Sequence, residues 1–140
     1  MIQLFRWLAI IPACIAAWWL ALFIGLYVRS VVNGLCPPES LAYGFLCEAS
    51  WYPAAAEAVL CFGVALSAIL VVLTAAAVAP RHRVLTAKAA LIVGTLVAIY
   101  FAIGTGAYLA LGAAVLAGTF ALVVVTHISE HWRLATRHVA

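Results

Sequence analysis

Residues 89–129 read AALIVGTLVAIYFAIGTGAYLALGAAVLAGTFALVVVTHIS, 41 positions without Asp, Glu, Lys or Arg. As one helix this run would be about 60 Å long, twice the roughly 30 Å hydrocarbon thickness of a bilayer. It therefore predicts a hairpin of two helices. The break is expected at Gly104, Thr105 and Gly106, where two glycines free the backbone for a tight turn. The pieces on either side, 84–103 and 108–128, are each about 20 residues, the length of one crossing. Lys88 falls just inside the first piece, with a stem long enough to return its ammonium to the interface.

Outward from that stretch, charge delimits two further spans. Arg6 precedes an uncharged run from Trp7 to Val28, about 33 Å of helix. Another run is entered through Trp51, Tyr52 and Pro53 and closed by Arg81, His82 and Arg83, giving a span over 53–79. Composition agrees: 69% hydrophobic residues, 8% charged residues and a mean hydropathy of +1.25 lie far from the balance of soluble domains. The expected architecture is all-α: an integral membrane protein forming a four-transmembrane-helix bundle, a single membrane domain over 1–140. Its connections are an outer loop 29–52, a cytosolic loop 80–83, a tight hairpin between helices 3 and 4, and a cytosolic tail 129–140. The first helix reads as an uncleaved anchor, since its apolar run exceeds that of a secretory signal.

Placing both termini in the cytosol puts Arg6, Arg81, Arg83, Lys88, Arg133 and Arg137 inside and leaves Arg29 outside, a strong positive-inside bias. The Ala- and Arg-rich composition with a single Lys points to a bacterial inner membrane. The basic inner face favours anionic lipid, and membrane lipids are the first expected partner. A net charge of +3 gives no reason to expect nucleic acid.

Cys36 and Cys47 then share the outer loop in an oxidising compartment and are expected to be bridged. Cys14 and Cys61 fall within spans and read as small packing residues. Helix association in lipid rests on close contact between small residues spaced four apart. Four stripes fit: Ala13, Ala17, Ala21 and Gly25; Ala90, Gly94, Ala98, Ala102 and Gly106; and, on helix 4, Ala110, Ala114 and Gly118, and also Ala113, Ala117 and Ala121. The five-membered stripe of helix 3 is expected to be the principal seam. Trp7, Trp51, Tyr52 and Trp132 fall where an interfacial aromatic belt belongs.

Trp18 and Trp19 sit near the middle of helix 1, where an indole N–H finds no water. About 100° apart on the helix, they are expected to face two surfaces, one towards the bundle and one outward to lipid or a second subunit. Glu57 is the acidic side chain at the edge of a span, following Ser50 as a candidate N-cap. It reads as a helix-dipole partner near the outer interface, and alternatively as a titratable carboxylate for protons or cations. His127, His131 and His138 share one face if helix 4 continues into the tail, but ligands from one helix without a Cys or a second helix do not make a metal centre. No metal or other cofactor is expected.

Four-helix membrane families of this size are similar in outline, yet their signatures are missing. Quinone-linked disulfide-forming enzymes carry a Cys-x-x-Cys pair, whereas ten residues separate Cys36 from Cys47. Small multidrug transporters need a membrane glutamate deeper than the position expected for Glu57. No catalytic set emerges, and no enzyme is expected. The sequence points to a non-enzymatic accessory or stabilising subunit of a larger inner-membrane complex, with other membrane subunits as partners. The alternative is a small transporter or channel component that uses Glu57.

Overall fold

The computed structural model describes residues 2–42, 46–79 and 82–137, with side chains defined over 7–41, 47–79 and 82–130. Four helices account for most of them: α1 (Ile2–Gly34), α2 (Tyr52–Val78), α3 (Arg83–Thr105) and α4 (Tyr108–Arg137). Each contains a segment long and apolar enough to cross a membrane, at Trp7–Gly34, Tyr52–Val78, Arg83–Thr105 and Tyr108–Glu130. A helix satisfies its backbone polar groups internally, which is why uninterrupted apolar sequence settles into it when no water is at hand.

The helices outlast the apolar runs that signal them. α1 continues through Arg29 to Gly34, so the first connection starts six residues later than the charge pattern implies. A charge marks where a chain leaves the hydrocarbon, and nothing at Arg29 stops the hydrogen-bond ladder. Pro12 lies inside α1, where its missing N–H leaves the carbonyl of Leu8 without its usual helical donor. At the start of α2 the N-cap is Trp51, without a side-chain cap bond and with Pro53 in the first turn. Ser50 therefore does not cap this helix.

The hairpin between α3 and α4 is tighter than expected. Gly104 and Thr105 remain helical, and Thr105 Oγ1 donates to the carbonyl of Phe101 at 2.9 Å. The reversal falls on Gly106, whose φ of 72° is left-handed and whose N–H donates to Ala102 O at 2.8 Å. This is the usual way a glycine closes a helix. α3 is preceded by His82, also left-handed at φ 56° and ψ 42°. The carbonyl of His82 accepts bonds from Thr86 N at 3.0 Å and Thr86 Oγ1 at 3.3 Å.

The connection between α1 and α2 carries its own small structure. A 3-10 turn at Pro38–Ser40 leads into β1 (Leu41–Ala42), which pairs antiparallel with β2 (Leu46–Cys47). The expected bridge between Cys36 and Cys47 is formed. Glu48 N donates to Ser40 O at 2.9 Å, extending the pairing by one rung. The ribbon escapes sequence reading because two-residue strands have no periodicity to detect.

α2 is the hub, in contact with α1 on one side and with α3 and α4 on the other. α1 packs on α2 and on no other helix to a comparable extent. Its seam is antiparallel: Cys14 Sγ donates to Val71 O at 3.9 Å, Gly25 meets Gly63, and Asn33 meets Tyr52. A Cβ on Gly25 would lie 3.6 Å from Gly63 Cα, so the two backbones approach with almost nothing between them. On the other side, Val72, Ala76, Ala87, Ala121 and Val125 form the core shared by α2, α3 and α4.

Small residues make these seams, though not always the expected ones. Ala21 is fully buried, and Ala110, Ala114, Gly118 and Ala121 line the buried side of α4. On α3, by contrast, Gly94 is exposed with nothing within 4 Å of an added Cβ. Of the expected stripe Ala102 is buried and Ala90 and Ala98 are half-buried, and the contact face of α3 also takes in Ala87 and Leu91. Leu91 seats against Gly118, where an added Cβ would fall 2.6 Å from Leu91 Cδ1. A large side chain opposite a glycine fills the gap as well as two alanines would, so spacing alone does not identify the packed face.

Among the described residues the buried apolar positions are ten alanines and two valines, whereas Leu, Ile, Phe, Trp and Tyr make up most of the large exposed side chains. This inverts the order of a protein folded in water, and a monomer carrying so much outward apolar surface would need an apolar solvent or partner.

Candidate interaction surface and polar sites

Trp18 stands at the midpoint of Ile2–Gly34. Its ring meets that of Trp19 edge-on at 5.4 Å and 71°, and Trp19 continues to Phe23 at 5.9 Å. Around the helix, Trp18 flanks the stripe of Cys14, Ala21 and Gly25 that faces α2, while Trp19 and Phe23 fall on the far side. Trp18 is 46% and Trp19 47% exposed, so the bundle encloses neither fully. α1 has extensive packing against α2 alone among the helices. Neither indole N–H is hydrogen-bonded among the described residues. The result is an aromatic patch at mid-helix with two unused donors.

Glu57 is the sixth residue of α2 and is exposed, about 7.5 Å along the axis from Tyr52. That places it near the end of the bundle that carries the disulfide, as the sequence suggests. The carboxylate makes no ion pair among the described residues.

The histidine stripe is only partly described. His127 is exposed on α4 and has an interaction partner, the backbone of His131 is helical, and His138 lies outside the described residues. Among the described residues no group of three or more His, Cys, Asp or Glu side chains is placed to hold a metal ion. Cys14 and Cys61 are half-buried within α1 and α2.

Two features escape sequence reasoning. Tyr52 Oη donates to Asn33 Oδ1 at 2.6 Å, joining residues 19 apart whose meeting depends on how α1 turns back onto α2. Gly63 becomes notable only through Gly25 opposite it. The helix directions also collect charge. α1 runs antiparallel to α2, while Ala68 and Val72 of α2 match Gly118 and Ala121 of α4 in parallel. Arg6, Arg83, Lys88, Arg133 and Arg137 therefore share one end with Glu130. Arg29, Glu39, Glu48 and Glu57 belong to the other.

The chain matches no protein-family model, no curated protein and no solved structure.

Proposed function

We propose that this protein is a non-enzymatic accessory subunit that stabilises a larger bacterial inner-membrane complex. In this reading it is inserted with both termini in the cytosol and the disulfide-bearing loop outside. The observation that carries the reading is the Trp18, Trp19 and Phe23 patch. It lies half-exposed at the middle of a helix attached to the rest of the fold chiefly along its seam with α2. Indole rings favour interfaces where one edge is apolar and the other finds a hydrogen-bond acceptor, and a neighbouring membrane subunit supplies both. The charge asymmetry between the two ends supports the orientation, and the Cys36–Cys47 bridge suits a loop held in an oxidising compartment.

The test is mild extraction from the native membrane followed by copurification and mass spectrometry, with a photocrosslinking residue at Trp19 in parallel. A specific membrane protein crosslinked through Trp19 and recovered with the chain is the expected result. A chain recovered alone, crosslinking only to lipid, overturns the proposal.

A second reading rests on the exposure of Glu57 within the candidate span Tyr52–Val78. An unpaired carboxylate there serves a small transporter or channel component as a proton or cation site. Glu57→Gln in reconstituted vesicles abolishes proton or cation flux if this reading holds, and equal flux sinks it.

A further inference from the structure

Among the described residues, one end of the bundle carries five cationic residues against the single carboxylate of Glu130, and the other one cation against three carboxylates. Among the side chains described at the basic end, Arg83 and Lys88 are exposed and make no ion pair. Both lie in the opening turns of α3, where the positive end of the helix dipole disfavours cations. The fold itself thus offers these charges no compensation.

Lys88 also heads an exposed apolar line. Ile92, Leu96 and Ile99 follow it at intervals of four, eight and eleven residues, all within about 80° of its position around the helix. From Lys88 to Ile99 is about 16 Å of helix, close to the ~15 Å depth of one leaflet's hydrocarbon. A cation at the head of an apolar track one leaflet long matches the outline of a single anionic phospholipid: a phosphate above, an acyl chain below. Arg83 lies about 7.5 Å nearer the end of the helix and adds to the positive field in the headgroup layer.

We propose that the Lys88 face of α3 is a binding site for an anionic phospholipid, with the lipid phosphate on Lys88 and its acyl chain along Ile92, Leu96 and Ile99. The occupant is identified by charge complementarity and by the matching length of the track. A soluble partner with an acidic patch would leave the apolar line beneath the lysine uncovered.

The experiment is a titration of the full detergent-solubilised chain with phosphatidylglycerol and, separately, phosphatidylcholine, counting bound lipids by native mass spectrometry. The first phosphatidylglycerol is expected to bind several-fold more tightly than phosphatidylcholine. Lys88→Gln should weaken it about fivefold, as expected for one cation near a lipid surface, and Lys88→Arg should keep it. Arg29→Gln, at the opposite end, should leave the preference unchanged. Raising the salt from low to 0.5 M should erode the wild-type preference through screening, a readout that needs no variant to fold. Equal affinity for the two lipids, or a preference that survives both high salt and Lys88→Gln, overturns the proposal.

Discussion

The hydroxyl of Tyr52 donates a 2.6 Å hydrogen bond to Asn33 Oδ1, tying the last turn of α1 to the first residue of α2. The Cys36–Cys47 bridge closes just beyond it. Two cross-links of different strength therefore fix the angle at which the chain re-enters the bundle.

The hydrogen bond is exposed, so its contribution is modest, about 0.5–1.5 kcal/mol. Tyr52→Phe and Asn33→Ala should each lower stability by about that amount, and the double variant by little more than either alone. Unfolding titrations in mixed detergent measure this as a double-mutant cycle. Strictly additive losses would show that the pair does not interact.

Removing the bridge with Cys36→Ser should free a loop whose closure is worth about 3 kcal/mol in the chain-entropy model. The four helices bury their contacts elsewhere, so helical circular dichroism is expected to persist. The segment between α1 and α2 should become sensitive to limited proteolysis, and a collapse of helix content instead would mean that the loop organises the whole bundle.

At the crossing of α1 and α2, Gly25→Ala and Gly63→Ala should each be tolerated, because a single added methyl meets the opposite Cα at 3.6 Å or 3.8 Å, ordinary contact distances. Gly25→Leu has no room at that crossing and should separate the helices. Loss of a disulfide engineered between α1 and α2 reports the separation. A Gly25→Leu chain that still forms that crosslink at the wild-type rate contradicts the seam.

Two left-handed residues make an opposed pair of predictions. Gly106 closes α3 at φ 72°, so Gly106→Ala should destabilise by about 1–2 kcal/mol. His82 holds φ 56° despite its side chain, and His82→Gly should relieve that strain and be neutral or stabilising by up to about 1 kcal/mol. Thermal unfolding of both variants in the same detergent decides the signs.

Much of the fold is legible from the chain alone. Uncharged runs locate four helices, and the 41-residue run from Ala89 to Ser129 forces a hairpin by length. Cys36 and Cys47 announce their pairing by sharing the one sizeable polar connection. These readings work because an apolar run must satisfy its own backbone and because spanning length is set by geometry. The sites are less legible. The spacing of small residues marks a stripe on α3 of which Ala102 is buried, yet Gly94 within it faces outward and Leu91, outside it, makes a close contact with Gly118.

Helix number and the hairpin thus follow from sequence, since each depends on neighbours along one chain segment, whereas the helix limits follow only to within a turn or two at nearly every end. Which faces meet depends on side chains brought together from distant segments, and only the tertiary structure decides it. Gly25 finds Gly63, Leu91 finds Gly118, and Asn33 finds Tyr52 through the directions of whole helices. The same packing leaves Trp18 and Trp19 both half-exposed, because α1 rests chiefly on α2.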